Sequence, residues 1–80
     1  MEFSEVSMNI CRNVRYLRRK HRMTQATLAD LLGIGCGSLR RLEAGNLPAR
    51  FNCNNLCRVC DVFGVSADLL IYSDISQSEK

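Results

Sequence analysis

The chain has 80 residues, 46% of them hydrophobic and 24% charged, with one Pro, five Gly and a formal net charge of +3. That length sets one small domain, able to bury about 60–65% of the surface its unfolded chain exposes. No apolar leader opens the sequence and no run approaches about 18 apolar residues, so secretion and membrane insertion are not expected and a cytoplasmic protein is.

The first helix is expected over 6–21, with Val6, Ile10, Val14 and Leu17 as its buried seam and Arg12, Arg15, Arg19 and Arg22 facing away. Residues 1–5 precede it as a tail. Thr24 and Gln25 open a second helix over 25–32, whose stripe is Ala26, Leu28, Ala29, Leu31 and Leu32, and Gly33 stops it where a left-handed residue is needed. A third helix starts almost at once, over 36–44. Ile34, Leu39 and Leu42 carry the apolar face across the break, so the pair folds back as a helix-turn-helix.

A loop over 45–52 follows, in which Pro48 keeps Leu47 extended. Asn52 is the expected N-cap of a fourth helix that turns Cys53, Leu56, Val59, Cys60 and Phe63 inward, and Gly64 ends it. Ser66 caps a short fifth helix with Asp68 in its first turn, and Leu69, Leu70 and Tyr72 supply its apolar surface. The polar stretch over 73–80 is expected to be a disordered tail. Between residues 8 and 72, ten basic side chains stand against four acidic ones, an excess suited to a polyanion such as DNA.

Thr24-Gln25, Leu28-Ala29, Leu32-Gly33-Ile34, Leu39, Leu42-Glu43, Gly45 and Phe63-Gly64-Val65-Ser66 together resemble the phage Cro and lambda-type repressors, the XRE-like regulators. The resemblance covers roughly 8–72 and implies an all-α, five-helix lambda-repressor-like domain over 6–72 that binds double-stranded DNA. In that family the third helix lies in the major groove and the start of the second holds a phosphate. Carried over, Gln25 takes the phosphate position, where helix dipole and backbone N–H groups favour an anion. Cys36, Gly37, Ser38 and Arg41 take the groove-facing positions, with Arg41 the leading base reader because its guanidinium can fork onto guanine O6 and N7.

The family usually has hydrogen-bonding or long side chains at the first two of these positions, whereas a thiol is a weak donor and Gly offers none. Gly35 stands where a capping Ser or Thr is common, and Gly37 lowers helix propensity, so a loose start to the third helix is expected. Arg40 falls on a phosphate or in solvent. Asn46, with the backbone around it, and Arg50 are further candidate phosphate contacts. Arg18 and Glu43 match positions that pair as a partly buried ion pair between the first and third helices, a structural role.

Five cysteines are an odd number for a disulfide framework, and a reducing compartment keeps them as thiols. Cys53, Cys57 and Cys60 spell C-x3-C-x2-C, but on a helix that spacing reads as small core residues rather than a cluster-binding loop. No fourth ligand completes a zinc site with them, Cys11 and His21 being the nearest options in type. No cofactor, metal, small-molecule ligand or catalytic activity is expected. Cys36, at a helix start on the expected DNA face, is a candidate point of redox control.

Two functional readings stand. One is a sequence-specific regulator, a repressor, acting as a homodimer on an inverted repeat. The other is an antitoxin-like or otherwise partner-binding module with weak DNA specificity, for which Leu69, Leu70, Ile71 and Tyr72 form a candidate protein-binding patch.

Overall fold

In the computed structural model residues 3–47 and 51–78 are described, and they fold into α1 (Phe3–Lys20), α2 (Gln25–Leu32), α3 (Cys36–Glu43), α4 (Cys53–Phe63), α5 (Ala67–Tyr72) and α6 (Ile75–Ser78). No strand occurs among the described residues, and the fold is all-α. Five of the helices lie where the hydrophobic spacing puts them; the sixth extends the expected set.

Most of the boundaries follow from local chemistry. Thr24, Asn52 and Ser66 are extended residues whose side-chain oxygens accept from the backbone N–H three residues on, satisfying donors that a helix start leaves open. Asn52 and Asn55 do so reciprocally, as a capping box. Gly33, Gly45 and Gly64 are left-handed, at φ 71°, 98° and 65°. Beyond each, a backbone N–H reaches back five residues: Ile34 to Ala29 O, Asn46 to Arg41 O and Val65 to Cys60 O. α1 ends the same way through Met23 N to Arg18 O, but its left-handed residue is Arg22, at φ 56°.

α1 is central, packing against α3, α5 and α6, while α2 packs on α3 and α4. Ile10, Val14 and Leu17 of α1 meet Leu28 and Leu32 of α2, Leu39 and Leu42 of α3, Val59 and Phe63 of α4 and Leu70 of α5 in one core. Burying each such aliphatic side chain contributes about 1.5–3 kcal/mol. Val6 is only half-buried, and the seam gains Cys11 and Asn13. The rings of His21 and Phe63, 5.1 Å apart, join the ends of α1 and α4.

Two tails assigned from the sequence need correction. The helix expected from residue 6 already runs from Phe3, so the described part of the 1–5 tail is helical. At the other end α6 occupies much of the stretch expected to be disordered, and Ile75 is buried. The cause is Asn13, a fully buried polar residue on α1. Its Nδ2 donates to the carbonyls of Leu70 (2.9 Å), Ser73 (2.8 Å) and Leu69 (3.3 Å), and its Oδ1 accepts from Ile75 N (3.0 Å). One side chain thus receives the end of α5 and starts α6, aided by Asn9 Nδ2 to Ile71 O and an Arg12–Asp74 ion pair.

α4 brings a third correction. Val59 and Phe63 are buried and Leu56 and Cys60 half-buried, but Cys53 and Cys57 are exposed. At about 100° per residue Cys53 and Cys57 lie roughly 80° and 120° around the helix from Phe63, outside the core-facing arc. Pro48 and Arg50 lie outside the described residues.

Candidate nucleic-acid interface

The turn between α2 and α3 is braced from outside. Asn55 Nδ2 of α4 donates to Leu32 O at 3.1 Å, satisfying a carbonyl at the end of α2. Arg58 crosses Gly33 so closely that a Cβ there would lie 2.8 Å from its guanidinium, and the left-handed φ would strain any other residue as well. The φ is the requirement, because the exposed Arg58 side chain can swing aside. A cleft of about 280 Å³ opens between this turn and the start of α4, with Ile34, Ser38, Phe51 and Asn55 in its wall.

α3 divides cleanly between its two sides. Leu39 and Leu42 are completely buried and Glu43 nearly so, while Gly37, Arg40 and Arg41 are exposed and Cys36 and Ser38 half-buried. Its N-cap, Gly35, makes no side-chain bond, so the first turn of α3 lacks the cap that Thr24 gives α2. A Cβ added at Gly37 would meet nothing within 4 Å, so no neighbour in the chain requires glycine there. Cys36, Gly37, Ser38 and Arg41, the set expected to face the groove, lie on one short helix, Gly37 and Arg41 exposed and the other two half-buried.

Glu43 anchors the inner side of α3. Arg18 Nε donates to Glu43 Oε2 at 2.6 Å and Arg18 Nη2 to Oε1 at 2.9 Å, a forked pair with side chains only 13% and 5% exposed. Arg18 Nη1 also donates to Met23 O, and the bonds to Glu43 raise the guanidinium's pKa further. Gln25 joins the same group, with Nε2 donating to Glu43 Oε1 at 3.2 Å. The residue assigned to a phosphate is therefore half-buried in the first turn of α2, one of its amide protons directed to Glu43. Its second amide proton and the backbone N–H groups of Gln25 and Ala26 are what it has for an anion, since those of Thr27 and Leu28 bond to Thr24.

Asn46 is exposed, but its backbone N–H is bonded to Arg41 O at 2.9 Å. The expected contact through the backbone at this residue is thus reduced to the Asn46 side chain. Arg50 lies in the part of the loop outside the described residues. Arg12, Arg15, Arg19, Arg22 and Arg58 are exposed in addition to Arg40 and Arg41.

The thiols divide by depth. Burial raises the pKa of Cys11; burial and then the neighbouring Cys57 and Asp61 raise that of Cys60. Among the described residues no group of three His, Cys, Asp or Glu side chains could hold a metal ion, and no helix is long and apolar enough to cross a membrane.

Two residues beside this surface, and Asn13 at the junction of α5 and α6, have roles that sequence spacing does not assign. Asn55 and Arg58 act across the chain on α2, and nothing in their own neighbourhood announces it. Asn13 left a signal, because it occupies a slot of the apolar seam running through 10, 13, 14 and 17.

A helix-turn-helix family model matches residues 14–70, from within α1 to within α5. No curated protein and no solved structure matches the chain.

Proposed function

The chain belongs to the Cro and lambda-repressor type of helix-turn-helix family, whose members are DNA-binding regulators, and from that premise we propose that it is a sequence-specific transcriptional repressor acting as a homodimer. The observation that carries this reading is the division of α3. Its inner side is locked by Leu39, Leu42 and the Arg18–Glu43 fork, while Arg40, Arg41 and an unobstructed Gly37 lie outside. A helix held that way can enter the major groove without reorganising the core.

In this reading Arg41 reads guanine, Ser38 makes a short polar contact, and the small Cys36 and Gly37 let the start of α3 approach the base edges closely. Gln25 binds a phosphate through its free amide proton and the start of α2, and Arg40, Asn46 and Arg50 add backbone contacts. Two copies place their α3 helices about 34–36 Å apart, which fixes the spacing of an inverted repeat. Occupying a promoter in this way excludes polymerase. Five free cysteines fit the reducing cytoplasm in which such a protein works.

The test is selection of duplexes from a randomised pool at near-physiological salt, followed by affinity measurements on variants. An enriched inverted repeat is expected. Arg41→Ala should lower discrimination at one base pair per half-site by about 1–3 kcal/mol, and Gln25→Ala should weaken binding to all sequences alike. Parent-like binding by both variants would overturn the docking.

One observation favours a second reading, that of a partner-binding module. Leu69 and Tyr72 remain 43% and 60% exposed, one turn apart on α5. Salt-sensitive DNA binding with no enriched sequence, together with a monomer in sedimentation at every concentration, would favour that module over the repressor.

A further inference from the structure

The C-x3-C-x2-C run is the one sequence feature that neither the core nor the DNA-facing surface absorbs. Free cysteine is among the most buried of residue types, yet Cys53 and Cys57 are both exposed and lie outside the core cluster. They occupy positions i and i+4 of an 11-residue helix, so their side chains stand on the same flank one turn apart. We propose that Cys53 and Cys57 form a surface dithiol site that chelates a soft thiophilic species satisfied by two sulfurs, in the class of monosubstituted trivalent arsenicals.

Helix geometry selects this chemistry over two others. Residues i and i+4 hold their Cβ atoms about 5–6 Å apart, whereas a disulfide needs roughly 3.5–4.5 Å. Direct S–S closure would therefore distort α4, and the pair persists as two thiols. A single bridging atom adds two bonds to sulfur, each of about 2.3 Å in the case of zinc, and spans the gap without moving the backbone. Zinc itself asks for four ligands, and no three-residue cluster exists among the described residues. The bridging species must therefore bring its remaining valence with it.

Thiolates select soft acceptors of this kind. In the binding step an arsenoxide, R–As=O, reacts with two thiols; two As–S bonds form, the As–O bonds break, and the two thiol protons leave with the oxygen as water. Arsenic stays trivalent and no oxidant or reductant takes part. Cys60 lies three residues beyond Cys57 and is half-buried. That burial turns it partly away from solvent, where an incoming reagent must reach both sulfurs. The pair with both members in solvent is the better chelator.

The site spans the first turns of α4, whose capping box and Asn55–Leu32 bond tie it to the end of α2. Its assignment is independent of what the α3 surface binds.

The test titrates the folded, reduced protein with phenylarsine oxide in the presence of excess monothiol and reads the adduct by native mass spectrometry. One equivalent should bind, with loss of one water, and ethanedithiol should remove it. Cys53→Ser and Cys57→Ser should each weaken binding at least 100-fold, whereas Cys11→Ser, Cys36→Ser and Cys60→Ser should bind as the parent. Circular dichroism of each variant establishes that the folded state is being compared. Parent-like binding by Cys53→Ser, loss of binding in Cys60→Ser, or an adduct that excess monothiol strips from the parent would each overturn the assignment.

Discussion

Asn13→Ala tests whether the C-terminal part of the fold depends on a single side chain. The substitution removes three close hydrogen bonds, to Leu70 O, Ser73 O and from Ile75 N, and a longer one to Leu69 O. At about 1 kcal/mol net for each of the three close bonds, the loss is about 3 kcal/mol. Backbone groups left buried without partners raise that figure, and detachment of α6 into water lowers it. A domain of this size has roughly 4–12 kcal/mol in total, so the loss is a large share. Each kcal/mol moves the midpoint of a small domain by about 4–8 °C, so thermal unfolding should shift by roughly 12–24 °C. Hydrogen exchange should localise the first effect to the Ile75 amide and the end of α5. Asn13→Asp has the same shape but places a carboxylate before three carbonyls, and should do at least as much damage at neutral pH. A loss below about 0.5 kcal/mol with Ile75 still protected would refute the reasoning, because α6 would then be held by its apolar contact alone.

Four further outcomes are expected. Arg18→Met leaves Glu43 buried without its fork and should cost about 3 kcal/mol, whereas adding Glu43→Leu should restore much of it; chemical denaturation of both variants checks the sign. Arg22→Gly relieves a left-handed residue at the end of α1 and should stabilise by about 0.5–1 kcal/mol, read as a higher melting temperature. Thiol labelling should modify Cys53 and Cys57 quickly and Cys11 only on global unfolding. Because burial raises the pKa of Cys11, the folded chain holds that proton longer than the unfolded one, and stability should fall as pH rises above the ordinary thiol range. Cys11→Val should flatten that dependence in denaturant midpoints taken across alkaline pH.

Much of the fold was legible because its punctuation is local. Thr24, Asn52 and Ser66 act on amides three residues away, and Gly33, Gly45 and Gly64 need only their own backbone angles. Such signals survive in a bare sequence. What escaped was long-range: Asn13 acts on residues more than 50 positions on, and Ile75 is one apolar residue in a polar stretch with no period to betray it. For α4, spacing alone carries the stripe through Cys53, as though every residue at that period met the core. The core-facing arc is narrower than that, and it centres on Leu56, Val59 and Phe63. At the candidate interface the groove positions rest on the resemblance, whereas the turn of Gln25 toward Glu43 is a matter of rotamer and packing that spacing does not encode.

The burial of Glu43 has an electrostatic consequence beyond joining two helices. α3 has three charged residues, Arg40, Arg41 and Glu43, and on paper it carries a single positive charge. Glu43 lies inside, its charge balanced at contact distance by Arg18, and contributes little to the field in solvent. An approaching polyanion therefore meets two guanidinium groups and no carboxylate from that helix. The same arrangement removes Arg18 from the basic surface, so the positive potential is shifted from the end of α1 toward α3 without changing the net charge. Encounter with DNA should accordingly be steered to this side of the molecule, with an association rate that falls steeply as salt is added.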